Sequence, residues 1–284
     1  MAIESIAVIG SGTMGSGIAQ VAAQARHPVR LIDVAQGQVD GALEGIRRNL
    51  DRAREKGRIS ETENAEILER LSGSTQLSDA AGADLVIEAI VEDFDTKFRL
   101  LQQLDGICKA DAIFASNTSS ISITRLAAAT RRPSKVIGMH FFNPVPVMKL
   151  VEIVRGIDTA DDTRSQLFWL AQEMGKMPVE VEDYPGFVSN RLLMPMINEA
   201  AYALMEKVAS RESIDTVMKL GMNHPMGPLE LADLIGLDVC LHIMKVLHEG
   251  FGDDKYRPCP LLVKMVAAGR LGRKSGCGFY EYAG

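Results

Sequence analysis

The stretch Gly10-Ser11-Gly12-Thr13-Met14-Gly15 constrains this chain more than any other. It follows the apolar run Ser5-Ile6-Ala7-Val8-Ile9 and precedes Ser16-Gly17-Ile18-Ala19-Gln20-Val21-Ala22-Ala23, so the order is strand, G-x-G-x-x-G, helix. Each glycine has its own physical task. Gly10 permits a tight turn, Gly12 leaves the backbone bare for a pyrophosphate, and Gly15 lets helix and strand pack closely. The first turn of the helix, with Thr13 and Met14, then presents N–H groups and partial positive charge to the phosphates. A second apolar run, Val29-Arg30-Leu31-Ile32, ends at Asp33, at about the 20-residue spacing such an acid takes. A carboxylate there accepts from the adenosine ribose 2′-hydroxyl and repels a 2′-phosphate. Val34 and Ala35 follow, with no Arg or Lys to hold that phosphate. The pattern predicts dinucleotide binding, with NAD preferred over NADP.

From Gln38 to Leu71 the pattern is helical, as two helices broken near Gly57 with Ser60 as the second N-cap. This stretch is basic, with Arg47, Arg48, Arg52, Arg54, Lys56 and Arg58. Glu44 with Arg48, and Arg47 with Asp51, have the spacing of helix-surface ion pairs. Lys56 and Arg58 lack such partners and suit either a solvated face or a polyanionic handle on a substrate. Residues 84–88 and 113–116 are further buried strands, the first followed by a helix carrying Lys97. In a parallel sheet the loops at the carboxyl ends of strands form the ligand crevice. Glu92, Asn117, Ser119 and His140 all fall at such ends, although Asn117-Thr118-Ser119-Ser120 also reads as a helix cap.

Residues 138–154, GMHFFNPVPVMKLVEIV, read as a strand up to His140, a turn broken by Pro144 and Pro146, and a return strand from Lys149 to Val154. Glu152 stands in that return strand among Leu150, Val151, Ile153 and Val154. A carboxylate in so apolar a run is costly to desolvate unless a cation or hydrogen-bond donor meets it. The turn folds the second strand towards the first, which makes His140 the candidate partner. A histidine with one ring nitrogen held by a carboxylate is the usual form of a tuned general base. The plainer alternative is a satisfied core histidine and a solvent-facing glutamate.

Residues 178–182 form the last strand, and Asp183-Tyr184-Pro185-Gly186 is a turn. The expected division is a Rossmann-type domain of mostly parallel sheet over residues 1–184, then an all-helical C-terminal domain over 185–284, in the α/β class. Asn190 lies in the first turn of the long helix after the boundary, where on its own it reads as a surface or capping residue. Apolar helix faces, Met-rich at Met194, Met196, Met205, Met218, Met222 and Met226, suggest burial in a homodimer.

A net charge of −6 argues against a nucleic-acid or anionic-membrane binder. No apolar run approaches the roughly 20 residues of a membrane span. The four cysteines, Cys108, Cys240, Cys259 and Cys277, have no paired spacing of the kind a zinc site needs, so no metal is expected. A strand that begins almost at once leaves no room for a targeting peptide, and reduced thiols fit a cytoplasmic protein.

With these pieces in place the chain resembles the (S)-3-hydroxyacyl-CoA dehydrogenases, most narrowly the single-function bacterial 3-hydroxybutyryl-CoA dehydrogenases. The resemblance covers essentially the whole length. It rests on IAVIGSGTMGSGIAQ, DLVIEAIVED, IFASNTSSISIT, VIGMHFFNPVPVMKLVEIV, PGFVSNRLLMPMINEA, MKLGMNHPMGPLELADLIGLD and LGRKSGCGFY. It implies an NAD-binding domain, a helical dimerisation domain and an acyl-CoA substrate of fatty acid metabolism. It further implies that His140 is the catalytic base with Glu152 as partner. Ser119 and Asn190 would hydrogen-bond the reacting oxygen or the thioester end. Asn143 would lie beside the nicotinamide, Glu92, Lys97 and Lys274 would match cofactor contacts, and Lys56 would match a CoA-phosphate contact. Asn49 stands where mitochondrial members carry a CoA-touching serine, and Ser189 replaces the second valine of PGFVVNR. Two other readings compete: a dehydrogenase of a small 3-hydroxy acid without CoA, and a non-catalytic NAD-binding protein. The second has no need of His140, Glu152, Ser119 and Asn190 together.

Overall fold

A computed structural model describes residues 3–282, which divide between Asp183 and Tyr184 into two compact units. The first is built on one eight-stranded sheet in the order β3-β2-β1-β4-β5-β6-β7-β8. The strands are β1 (Ile6–Ile9), β2 (Val29–Ile32), β3 (Leu71–Ser74), β4 (Leu85–Glu88), β5 (Ile113–Ser116), β6 (Val136–Phe141), β7 (Leu150–Arg155) and β8 (Met177–Glu182). The helices are α1 (Thr13–Gln24), α2 (Gln36–Glu55), α3 (Glu61–Glu69), α4 (Phe94–Ile107), α5 (Ile123–Ala127) and α6 (Asp161–Glu173). From β3 to β6 every pairing is parallel, β6 and β7 are antiparallel, and β7 and β8 are parallel again. The order reverses at β1, which lies between β2 and β4, and such a switch point is where a doubly wound sheet opens a ligand crevice.

The strands β1, β4 and β5 are buried along their whole length, which is why they read as apolar runs, broken only by Glu88 and Ser116 at their carboxyl ends. The core they form includes Val8, Leu31, Leu85, Ile87, Ile113, Met139 and Ile153. Helix α3 begins at Ser60, which accepts from the Glu63 amide while Glu63 reaches back to the Ser60 amide, a complete capping box. Strand β3 departs from expectation, because the helical reading ran on to Leu71. Four residues containing Gly73 carry almost no strand signal of their own, and the parallel ladder with β2 decides their conformation. Arg47 also departs from its expected partner: it pairs with Glu44 at 3.8 Å, and Asp51 pairs with Arg54 at 3.7 Å.

The second unit is helical: α7 (Ser189–Met205), α8 (Arg211–Thr216) with a π-helical turn at Val217–Gly221, α9 (Pro228–Ile235), α10 (Leu237–Phe251) and α11 (Pro260–Ala267). Its core gathers Met194, Ile197, Leu229, Leu237, Met244, Leu247 and Leu262. Two buried acids tie it together. Asp215 accepts from the amides of Leu229 and Glu230 at the start of α9, and Asp233 accepts from those of Phe279 and Tyr280. Among the described residues no helix is long and apolar enough to cross a membrane, and no group of three His, Cys, Asp or Glu side chains could hold a metal ion.

Candidate active site

The glycine loop joins β1 to α1 at the switch point. Gly10 has φ +100°, and a side chain there would meet the Ala89 carbonyl oxygen at 2.5 Å. A Cβ at Gly15 would lie 1.8 Å from the Gly10 carbonyl oxygen, whereas one at Gly12 would meet nothing within 4 Å. Two glycines are therefore consumed by the fold, and the third leaves a bare backbone at the N-terminus of α1. That is the cradle a pyrophosphate needs. Asp33, at the end of β2, holds the loop: Oδ2 accepts from the Ser11 amide at 2.6 Å and its hydroxyl at 2.8 Å, and Oδ1 accepts from the Val34 amide at 2.7 Å. Beside it, a cleft of about 360 Å³ is lined by Gly10, Asp33, Val34, Leu77, Ile90 and Arg99. A second groove, of about 370 Å³, is lined by Gly12, Thr13, Gln20, Asn49, Asn143 and Pro146, among others.

A polar network closes the ends of β4 and β5. Glu88 and Lys97 are both about 99% buried and meet at 2.6 Å. The other Glu88 oxygen accepts from the Ser116 hydroxyl at 2.5 Å. Lys97 also faces Glu92 at 3.3 Å. Glu92 Oε1 gathers the loop after β5, accepting from the Thr118 hydroxyl at 2.6 Å and from the amides of Ser119 and Ser120 at 2.9 and 3.1 Å. Burial alone would push the Glu92 carboxyl up, but the Lys97 ammonium and these donors outweigh it and hold it below the ordinary value.

His140 and Glu152 stand directly opposite one another in the antiparallel β6–β7 ladder. The pairing puts both side chains on one face of the sheet, and His140 Nδ1 lies 2.7 Å from Glu152 Oε2. Both residues are buried, and the imidazole also contacts the Phe142 ring, with centroids 4.6 Å apart. One residue along, the Phe141 amide donates to Asn117 Oδ1 at 2.9 Å, which ties the β5 loop to β6. A carboxylate at Nδ1 favours the tautomer that carries its proton on that nitrogen.

Comparison with known proteins places the chain in a family. The family model for the 3-hydroxyacyl-CoA dehydrogenase NAD binding domain matches residues 5–184, and that for the 3-hydroxyacyl-CoA dehydrogenase C-terminal domain matches residues 186–282. The chain belongs to the 3-hydroxyacyl-CoA dehydrogenase family. It is 57% identical over 282 residues to the "probable 3-hydroxybutyryl-CoA dehydrogenase" of Bacillus subtilis (strain 168), covering 99% of this chain and 98% of that one. It is 53% identical over 277 residues to the 3-hydroxybutyryl-CoA dehydrogenase of Clostridioides difficile, covering 98% and 99%. Its fold matches the crystal structure of the (S)-3-hydroxybutyryl-CoA dehydrogenase of Ralstonia eutropha with a TM-score of 0.98, at 50% identity and with each chain covered in full. As a 3-hydroxyacyl-CoA dehydrogenase it is an NAD-dependent enzyme, and the bare Gly12 backbone and the Asp33 carboxylate fit that cofactor.

Within the first unit of this 3-hydroxyacyl-CoA dehydrogenase the predicted residues form three groups. Gly10, Gly12, Thr13, Met14, Gly15 and Asp33 surround the glycine loop, with Asn49 and Asn143 on its groove. Glu92, Asn117 and Ser119 follow the ends of β4 and β5, Lys97 reaches Glu92 from α4, and His140 with Glu152 lie on the next pair of strands. Lys97 is too deep to offer its ammonium to solvent and is occupied by Glu88 and Glu92. Lys56 caps the C-terminus of α2 and is exposed. Asn190 and Lys274 belong to the second unit, where Asn190 is buried in the first turn of α7 and Lys274 pairs with Asp238 at 2.6 Å. Sequence reasoning missed Ser11, Glu88 and Arg99. Only Glu88 carried a signal, a carboxylate ending an apolar strand, as Glu152 interrupts one.

Proposed function

We propose that the protein oxidises (S)-3-hydroxyacyl-CoA, with 3-hydroxybutyryl-CoA as the principal substrate, to 3-ketoacyl-CoA, and catalyses the reverse reduction of acetoacetyl-CoA. The observation that carries this reading is the buried His140–Glu152 contact, at 2.7 Å, in the same unit as the glycine loop. The names of the relatives point the same way.

NAD, when bound at the glycine loop, supplies the hydride acceptor. The chain's own residues handle the proton and the alignment. His140 takes the C3 hydroxyl proton at Nε2 as the C3 hydrogen departs as hydride. Glu152 keeps the proton of the resting imidazole on Nδ1 and faces the imidazolium once it forms. Ser119 and Asn190 hydrogen-bond the reacting oxygen or the thioester end, and the Glu92 carboxylate keeps the Ser119 loop in place. Asn143 and Asn117 contribute to the nicotinamide side, with Lys274, while Lys97 acts through Glu92. Lys56 and Asn49 offer a cation and an amide to the CoA moiety. In the reduction His140 returns the proton as an imidazolium acid. Positioned acid–base catalysis of this kind contributes about 10²–10⁴ in rate, and alignment of donor and acceptor supplies much of the rest.

The protein acts as a cytoplasmic homodimer assembled through its helical unit. Supporting this, Leu192, Val208, Leu220 and Met222 of that unit are exposed, and the four cysteines are unpaired. The test of the reaction is NADH consumption with acetoacetyl-CoA against free acetoacetate. Rapid consumption with the thioester alone supports the reading. Equal rates with both would favour a small 3-hydroxy acid as substrate, and no consumption with either would favour a non-catalytic NAD-binding protein.

A further inference from the structure

Lys176, between α6 and β8, is 92% buried, yet its ammonium meets backbone carbonyls: it donates to Val145 and, at 2.9 Å, to Met148. Burial pushes that ammonium below the usual lysine value, and no charge offsets the push. A buried cation without a carboxylate is a costly choice, and a methionine would fill the space without it. The carbonyls explain the choice. Between β6 and β7 the chain makes one tight turn at 143–148, in which the amides of Val147 and Met148 both donate to the Pro144 carbonyl at 2.9 Å. Such a turn leaves inward carbonyls with no ladder to join, and an ammonium can satisfy two of them at once, as a C-terminal cap does.

The turn is braced from its other side too. Val145 is buried against α1 so closely that a Cβ at Gly17 would lie 2.8 Å from the Val145 Cβ. Its remaining face, through Asn143, Pro144 and Pro146, forms one wall of the groove shared with Gly12, Gln20 and Asn49. The next backbone contact, from the Met177 amide to the Lys149 carbonyl at 2.7 Å, joins the Lys176 segment to the start of the strand that carries Glu152.

We infer that Lys176 is a positioning residue, whose ammonium holds the 143–148 turn in the shape that walls the groove beside the glycine loop and so governs how tightly the acyl-CoA is held. This rests on the reaction proposed above. The direct test is Lys176→Met, which keeps length and removes charge, with Lys176→Arg as the rescue. In Lys176→Met the KM for acetoacetyl-CoA rises about tenfold, the size of one lost charge-assisted hydrogen bond, while kcat stays within about twofold and the arginine recovers part of the loss. Amide exchange at Val147 and Met148 speeds up. Wild-type KM in Lys176→Met, or a fall in kcat or melting temperature without a rise in KM, overturns the inference. Should Lys176→Met not fold, Val145→Ala loosens the same wall from the α1 side, and a wild-type KM there overturns it equally. Wild-type enzyme that consumes no NADH with acetoacetyl-CoA would instead count against the reaction itself.

Discussion

Two ionic clusters, each with a buried pair at its centre, stand beside neighbouring strands of the sheet, and they are built to opposite ends. In the Glu88–Lys97–Glu92 network each charge meets groups of the protein itself: Lys97 two carboxylates, Glu88 Lys97, Ser116 and the Ile90 amide, and the partly exposed Glu92 the 118–120 loop. At His140 the contact with Glu152 uses Nδ1 and orients the ring, and in the proposed reaction Nε2 exchanges the proton with the substrate. A buried cation between acids fixes a shape, whereas a buried base held at one nitrogen fixes a reactivity. The difference lies in the donor. Lysine offers three donors and no acceptor, while a neutral imidazole offers one of each.

Mutation should separate the two clusters by what is lost. His140→Ala should lower kcat by about 10²–10⁴-fold, with NADH affinity nearly intact by fluorescence titration; wild-type turnover would remove His140 from the chemistry. Lys97→Met should give the opposite pattern. It strands two carboxylates, and losing one partner of a buried pair costs about 3–5 kcal/mol, read as a lower urea midpoint at unchanged slope. An unaltered midpoint would mean that the network is ornamental to the fold.

The smallest effect is in acid. Asp84 at the start of β4 is pushed up by burial but pulled further down by Lys109 and the Ser5 hydroxyl and amide, from 3.8 to about 2. Its folded value lies below the unfolded one, so its stabilisation is present above about pH 4 and disappears as pH falls through about 2. Glu92 adds to the same slope, since it too is held below its ordinary value. Asp84→Asn should flatten part of the acid limb of the stability curve. An unchanged limb would assign that slope to other carboxylates.

Much of the site was legible because single residues broke an otherwise regular pattern. Glycines at a strand-to-helix junction, Asp33 ending a buried strand, and Glu152 inside an apolar one are each anomalies that only a backbone or charge requirement explains. What stayed hidden depended on contacts between distant segments. Asp33 was read as a ribose acceptor, and nothing in its own strand reveals that Ser11 occupies one of its oxygens. Arg99 comes to the Asp33 cleft from α4, so the residues after Asp33 could not announce it. Lys176 precedes a short strand like many surface lysines, and only the turn folded over it shows what its charge serves. Strand β3 was hidden for a related reason, since its conformation comes from its neighbour β2 and not from Leu71-Ser72-Gly73-Ser74 themselves.

The central claim is that Glu152 acts through His140 and not beside it. A double-mutant cycle on kcat for acetoacetyl-CoA reduction, with His140→Ala, Glu152→Gln and both together, addresses that claim most directly. The account predicts that Glu152→Gln slows the wild-type enzyme but adds nothing in the His140→Ala background. Losses that multiply in the double variant would contradict it, because two residues that act as one unit cannot be lost twice.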